Sequence, residues 1–314
     1  RAIYDILRDP LYSDIDPRRI FAYGHSMGAS GSLALALRYP NLFAGVYCSE
    51  PMTNYRAASQ GCEVDWVGTD LEPKWGAVAL NLPIENRGVY AAHLTRFNGT
   101  GVWDWQNHQA TLVQRRGEDI AFVALAHGTR DRVIAWESQG RPAYEPLYQG
   151  RHAFSGATVN EDHTWVGFAG LGPAVGEQWL PRASGPFWGF RMVRDETLPA
   201  LTYASGSLPV PPDSAGEYNM NIEWSASWNA WAGPPVDSPA RWEIALRSLE
   251  GAQTVDVTPR RVQRFVITPG ATYDWENRTV SDNRLIASGT VTADADGLVT
   301  VPQFAVSPDG NRLV

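Results

Sequence analysis

Residues 20–28 read IFAYGHSMG, and a helical pattern that ends before Pro40 follows directly. A short apolar run here meets the motif G-x-S-x-G, whose central serine is Ser26. Where this motif joins a strand to a helix, it holds the serine on a sharp, strained turn with its hydroxyl exposed. Gly24 and Gly28 are expected because a Cβ at either position would collide with the tightly folded backbone. The stretch predicts a serine nucleophile; the alternative is a chance match in a glycine-rich loop.

The predicted helix also supplies part of the surroundings of a reacting carbonyl group. Its positive N-terminal end is directed at Ser26. The backbone N–H of Met27 then faces the position where an oxyanion would develop. Met27 is therefore the predicted oxyanion-hole residue.

Composition and charge limit the classes of function. The 314 residues are 44% hydrophobic and 19% charged, as in an ordinary globular protein, and the length allows two domains. The formal net charge of −8, with no stripe of basic residues, argues against a nucleic-acid partner. No apolar run approaches the ~18 residues that a membrane span needs.

The chain has two cysteines, Cys48 and Cys62. Neither lies near another cysteine or a histidine at metal-ligand spacing, so we predict no metal site. A disulfide between them and two free thiols are both compatible with the sequence. We predict the disulfide on the assumption that the protein is exported.

Apolar runs in the first half predict a parallel sheet. A strand, a helix and a second strand follow one another within about thirty residues, which is typical of a βαβ unit. Residues 52–118 lack a clean period and are expected to cross the top of the sheet as helical or irregular chain, and residues 134–148 are a predicted helix. The predicted strands are 20–23, 42–48, 120–126 and, as the last of the sheet, 151–158.

From about residue 186 short β-type runs alternate with turn residues, which predicts a β-sandwich. The sequence Asp294-Ala295-Asp296-Gly297 predicts a hairpin turn rather than a calcium loop, because the rest of a calcium-binding loop is missing. The predicted strands here are 187–193, 221–224, 242–246, 254–257, 264–267, 285–292 and 298–304, and the prolines at 209–212 are expected in a long loop.

A serine nucleophile needs a base and an acid that orients the base. Asp131 follows a predicted strand, and His163 lies in the loop after the next one, so both fit the order serine, acid, base. His152 is the competing base, although it falls inside the last predicted strand. Asp162 is the weaker candidate for the acid, because a sequence neighbour cannot easily reach the far edge of the imidazole.

Further residues are expected to line a substrate site. His25 lies inside the motif with its ring directed away from the base, and His127 stands beside Asp131 at a strand end. On the excursion above the sheet, Trp66, Trp103 and Trp105 are candidates for a wall against an acyl or aromatic group. Tryptophans of the second half are expected to fill the sandwich core rather than form a polymer-binding face: Trp188, Trp224, Trp228 and Trp231.

Segments 16–28, 127–131 and 162–165 together resemble the α/β-hydrolase superfamily. Within it, residues 1–180 are similar to the secreted polyhydroxybutyrate-depolymerase and feruloyl-esterase-like group. The resemblance implies Ser26 as nucleophile, Asp131 as acid, His163 as base, Met27 as oxyanion donor, and no cofactor. Segments 256–261 and 293–298 look like an immunoglobulin-like module appended to such hydrolases. The fold class is therefore α/β, with an α/β-hydrolase sheet in residues 1–182 and a β-sandwich module in residues 183–314.

One departure from that family concerns the chain before Ser26. In the α/β-hydrolase fold the second oxyanion donor lies on a loop upstream of the serine. Only 25 residues precede Ser26 here. We therefore expect the first strands of the sheet, that loop and an export signal to lie upstream of residue 1. The chain alone is expected to be poorly soluble and nearly inactive.

Three functions remain open on the sequence. The leading one is hydrolysis of a small or polymeric carboxylic ester through a covalent acyl-enzyme, in a secreted or periplasmic protein. The second is a serine peptidase of the prolyl-oligopeptidase kind, which has the same order of residues. The third is a non-catalytic fragment whose β-module binds a polymer or a surface.

Overall fold

A computed structural model describes residues 2–85, 98–166, 191–207 and 216–314 of the chain. Its helices are α1 Ala2–Arg8, α2 Met27–Arg38, α3 Glu72–Trp75, α4 Val102–Trp105, α5 His108–Gln114 and α6 Arg141–Gln149. Its strands are β1 Phe21–His25, β2 Gly45–Ser49, β3 Phe122–Gly128, β4 Phe154–Val159, β5 Leu198–Thr202, β6 Gly216–Tyr218, β7 Ile222–Trp224, β8 Val236–Ser238, β9 Arg241–Ser248, β10 Gln253–Arg260, β11 Thr272–Thr279, β12 Leu285–Thr292, β13 Val301–Val306 and β14 Asn311–Leu313.

The first four strands form the predicted parallel sheet, in the order β1-β2-β3-β4. Every residue of β2 and β3 is buried, as expected of parallel strands that are covered on both faces. The prediction that residues 151–158 form the last strand is wrong in one respect: β6 adds an antiparallel strand beyond β4. This fifth strand comes from the range assigned to the β-module.

Alternate residues of the central strands point to two different cores. Val46, Val123 and Leu125 pack with helices α2, α5 and α6 on one face of the sheet. Tyr47 and Phe122 belong to a second core, built largely from strands of the C-terminal half. Because side chains alternate between the two faces of a strand, one face of the sheet is covered by helices and the other by β-strands.

The C-terminal half forms two antiparallel sheets, β13-β10-β5 and β12-β11-β14-β9-β7, with β8 paired to β9. The fold is thus an α/β-hydrolase sheet followed by a β-sandwich. No strand forms at 264–267, which corrects that prediction. The turn at Asp294–Gly297 exists, but it is not a hairpin: β12 pairs with β11 and β13 with β10, so the chain changes sheets there.

Contacts between the two halves are charged as well as apolar. The guanidinium of Arg261 is buried and donates to the carbonyl oxygens of Ala44, at 2.7 Å, and Ile120, at 3.1 Å. The Asp294 carboxylate pairs with Arg116. Trp224, buried as predicted, has its ring 5.9 Å from that of Phe122. A buried cation bonded to several carbonyl groups fixes the β layer against the base of the sheet.

Several sequence predictions fall outside the described residues. They concern the boundary at 182/183, Trp188, most of the predicted strand 187–193 and the prolines at 209–212. Residues 191–193 are described and are not a strand. Within the described ranges, none of the helices has the length and apolar character needed to span a bilayer.

Candidate active site

Ser26 occupies a strained turn between β1 and α2. Its backbone angles, φ 56° and ψ −117°, lie in a region that L-residues rarely adopt. The Ser26 N–H donates to the carbonyl oxygen of Ser49 at 2.9 Å, which ties the turn to the end of β2. The first N–H groups of a helix, here including that of Met27, have no acceptor within the helix. The Ser26 side chain does not cap the first turn of α2. This is the local geometry predicted from the motif.

The two motif glycines differ in their surroundings. A Cβ at Gly24 would lie 2.2 Å from the carbonyl carbon of Gly28 and 2.7 Å from the amide nitrogen of Ala29. A Cβ at Gly28 would meet nothing within 4 Å, which corrects the prediction that Gly28 avoids a collision. Only Gly24 is required by close backbone contact.

We expect Gly24→Ala to lower the free energy of unfolding by more than about 3 kcal/mol, because the clash is with backbone atoms that cannot move aside. Gly28→Ala is the matched control, since it lies in the helix and should change stability by no more than ~1 kcal/mol. Urea denaturation followed by circular dichroism measures both. Equal destabilisation by the two substitutions would contradict this account.

Asp131 lies in the loop after β3, and both of its carboxylate oxygens are engaged. Oδ1 accepts the backbone N–H groups of Val133, at 2.8 Å, and Ile134, at 2.9 Å. Oδ2 lies 2.8 Å from Nδ1 of His163. Burial opposes ionisation, but hydrogen bonds from His127 and His163 hold the pKa of Asp131 well below its usual range. Asp131 is therefore an anion fixed against the imidazole.

The loop that carries His163 is anchored on the loop after β3. The Arg130 N–H donates to the Glu161 carbonyl oxygen at 3.0 Å. A Cβ at Gly128 would lie 2.6 Å from that same oxygen and 2.9 Å from the carbonyl oxygen of Asp162. Because Gly128 has no side chain, the two loops can approach closely enough for His163 to reach Asp131.

The structure separates the competing residues from this pair. The Asp162 carboxylate accepts the backbone N–H of His163 at 2.8 Å. His152 is 1% exposed, and its Nε2 lies 2.7 Å from the Leu112 carbonyl oxygen. Burial lowers the pKa of His152 to about 3. A ring enclosed in this way cannot take a proton from a serine that acts on substrate.

Glu50 is a site residue that the sequence reasoning missed. It follows β2 directly with a φ of 56°, and its side chain is fully buried. Its Oε2 lies 3.1 Å from Nδ1 of His163, and its Oε1 accepts the Gly128 N–H at 3.2 Å. Burial, with the nearby Asp131 charge, raises the pKa of Glu50 to about 9. The sequence feature that could have predicted this position is an acidic residue at the end of a buried strand, next to the strand that leads to Ser26.

His25 lies closer to His163 than predicted. Its ring centroid lies 4.6 Å from that of His163, which corrects the expectation that the ring is directed away. Its Nδ1 is 3.5 Å from Oε2 of Glu50. Trp165 packs edge-on against the His25 ring at 6.1 Å. Ser26 is therefore one residue from a side chain that packs against the ring of His163.

His127 does not line a substrate site, and that prediction is corrected. It is 0% exposed, its Nε2 lies 2.7 Å from the Ile134 carbonyl oxygen, and the same atom is 3.5 Å from Oδ2 of Asp131. The ring supports the loop that holds Asp131. A residue with no solvent-accessible surface cannot contact a substrate.

The predicted tryptophan wall is corrected for Trp103 and Trp105, whereas Trp66 is partly buried and stays a prediction. Trp103 is 0% exposed, inside a small core beneath the excursion. The Nε1 of Trp66 donates to the Val133 carbonyl oxygen at 2.7 Å, which directs its polar edge toward the loop that carries Asp131. Trp105 stacks on the guanidinium of Arg38 at 3.6 Å, at the end of α2 opposite Ser26. Met27, which is 77% exposed, is the apolar residue adjacent to the serine.

Both cysteines are free thiols, so the disulfide prediction is wrong. Cys48 faces the helical core within β2, whereas Sγ of Cys62 accepts the Ala135 N–H at 3.4 Å above the sheet. Within the described ranges, one set of side chains could in principle hold a metal: His25, Glu50 and His163, whose ligand atoms lie within 4.8 Å of one another. Because Nδ1 of His163 is already bonded to Asp131, we interpret the set as a hydrogen-bonding cluster.

Comparison with known proteins gives one family match, over residues 8–155, to the family described as "Putative esterase". No curated protein sequence matches this chain. Among solved structures, Pyrococcus horikoshii acylaminoacyl peptidase is similar at 14% identity and a TM-score of 0.36, over 51% of this chain and 22% of the peptidase. S-formylglutathione hydrolase from Agrobacterium tumefaciens is similar at 20% identity and a TM-score of 0.31, over 52% and 50%.

The chain thus aligns with about a fifth of the peptidase and half of the S-formylglutathione hydrolase. The family match begins before the serine strand and ends within β4, so it contains Ser26 and Asp131, and His163 follows it. Residues 8–155 are the segment of this chain that matches the putative esterase family, on a sheet of the α/β-hydrolase fold.

Proposed function

We propose that this protein is a serine hydrolase that cleaves a carboxylic ester, with Ser26 as nucleophile, His163 as base and Asp131 as the acid that orients the base. The observation that carries the proposal is the 2.8 Å contact between Nδ1 of His163 and Oδ2 of Asp131, next to the strained turn that presents Ser26. The esterase family match over residues 8–155 supports an ester as substrate.

The chemistry follows from the roles of the side chains. Nε2 of His163 takes the hydroxyl proton as Ser26 attacks the ester carbonyl carbon, and the Asp131 carboxylate stabilises the imidazolium that forms. The Met27 N–H donates to the oxyanion of the tetrahedral intermediate. The imidazolium then protonates the departing alcohol. Water attacks the acyl-enzyme in a second cycle, with the same histidine as base.

The substrate is an ester of a small molecule or of a polymer, and the protein acts outside the cytoplasm. The exposed Met27 side chain offers an apolar contact beside the serine, which suits an acyl group better than a charged one. Of the predicted tryptophan wall we retain Trp66 alone, since Trp103 is buried and Trp105 stands at the other end of α2.

Hydrolysis of p-nitrophenyl acetate and butyrate, beside a peptide p-nitroanilide, tests the ester assignment. With the full-length protein, we expect turnover of the esters and a fluorophosphonate adduct on the peptide that contains Ser26, identified by mass spectrometry. A rate on the anilide equal to that on the esters would favour the peptidase. A protein that neither hydrolyses esters nor forms the adduct would contradict the proposed function and favour the non-catalytic alternative.

A further inference from the structure

Two carboxyl groups face the same nitrogen of His163. Oδ2 of Asp131 lies 2.8 Å from Nδ1, and Oε2 of Glu50 lies 3.1 Å from it. Both carboxyl side chains are 0% exposed. The orientation of a catalytic imidazole needs one such group. The second is therefore unexplained by the proposed function alone.

Glu50 is held in this position by the surrounding backbone. Its Oε1 accepts the Gly128 N–H, and its backbone N–H donates to the Ala126 carbonyl oxygen at 2.8 Å. Its Oε2 has no hydrogen-bond partner among the described residues, because the Nδ1–H of His163 is aligned with Asp131 instead. A small rotation of the imidazole would redirect that N–H from Asp131 to Glu50.

The charges around the two carboxyl groups favour different protonation states for Glu50 and Asp131. Burial and the adjacent Asp131 anion raise the pKa of Glu50, so at neutral pH Glu50 carries a proton while Asp131 is ionised. The other titratable groups around Glu50 are His163, His25 and Asp162. Removal of the Asp131 charge would ease ionisation of Glu50.

We propose that Glu50 is a positioning residue for His163: a reserve carboxyl group that supports the imidazole beside Asp131 and accepts its Nδ1–H when Asp131 cannot. This inference rests on the proposed function for its catalytic meaning, although the geometry of the histidine can be tested without activity. The predicted behaviour is strong coupling between Glu50 and Asp131.

The test is a double-mutant cycle of Asp131→Asn and Glu50→Gln, measured as kcat/KM on p-nitrophenyl butyrate. In a serine hydrolase with a single orienting aspartate, replacing that aspartate by asparagine lowers kcat by about 10⁴-fold, because the imidazole takes the wrong tautomer. Here we expect Asp131→Asn to cost about 10–10²-fold, Glu50→Gln less than tenfold, and the double variant about 10⁴-fold.

Two readouts separate positioning from a merely structural role. The activity of Asp131→Asn should rise with pH as Glu50 ionises, and this rise should be absent from the double variant. The ¹⁵N shifts of the His163 ring should report the Nδ1–H tautomer in Asp131→Asn and its loss in the double variant. The matched control is Glu161→Gln on the Asp131→Asn background, which removes an exposed carboxylate of the same loop that pairs with Arg130 and should add no further loss.

Two results would overturn the inference. One is that Glu50→Gln lowers kcat/KM by the same factor in the wild-type protein and in Asp131→Asn. The other is that the His163 tautomer in Asp131→Asn is identical to that in the double variant. Failure of the proposed function is distinct from both. It would appear as a wild-type protein without ester turnover or Ser26 adduct, in which the tautomer measurement still decides the role of Glu50.

Discussion

Substitution of Ser26 by alanine is expected to remove ester hydrolysis, with a fall in kcat of about 10⁴–10⁶-fold, because no covalent acyl-enzyme can form. The residual rate would come from substrate binding and the oxyanion donor. The fluorophosphonate adduct should disappear together with the activity. The fold should remain intact, since the hydroxyl caps no helix and Ala fits the same volume.

Ser32→Ala is the matched control for this experiment. Ser32 lies on α2, the helix that follows Ser26, and its hydroxyl donates to the Gly28 carbonyl oxygen at 2.9 Å. Its removal should leave kcat within a factor of about two and adduct formation unchanged. Retention of adduct and turnover in Ser26→Ala would show that another residue is the nucleophile.

The sequence predicts the serine turn and the sheet well because both depend on local patterns. Apolar runs identify the strand before Ser26, the helix after it and the buried strand before Asp131. Two glycines and a serine identify the turn. The position of His163 was also predictable, because chain order and strand ends restrict the choice. Its contact with Asp131 fits that prediction, while the catalytic roles stay proposals.

What the sequence could not predict depends on side-chain burial. Whether His127, Trp103 and Cys48 face solvent or the core is decided by packing between elements that are distant in the chain. Glu50 was missed for the same reason, since its position beside His163 needs two loops and the end of β2 to meet. The β-module was recognisable as a sandwich, but its pairing with β4 through β6 is a long-range contact that leaves no local pattern.

The second large effect is expected for His163. His163→Ala should lower kcat by at least ~10³-fold, because the proposed mechanism assigns to this imidazole both the removal of the Ser26 proton and its return to the leaving alcohol. The rate of fluorophosphonate labelling should fall in parallel, since it needs the same activated hydroxyl. His163→Gln, which keeps most of the side-chain volume, should be equally damaging if the loss is one of proton transfer. Both variants are measured by steady-state kinetics, with circular dichroism to verify the fold.

His152→Ala is the control that separates a base from a structural histidine. The His152 ring is enclosed and bonded to the Leu112 carbonyl oxygen, so its loss should lower the free energy of unfolding by about 1–3 kcal/mol. Its effect on kcat of the folded protein should stay within a few-fold, because the ring has no route to Ser26. The opposite pattern, with a folded but inactive His152→Ala and a nearly fully active His163→Ala, would reverse the assignment of the base. It would also remove the reason for two buried carboxyl groups to face Nδ1 of His163, since the nitrogen they hold would then take no part in proton transfer.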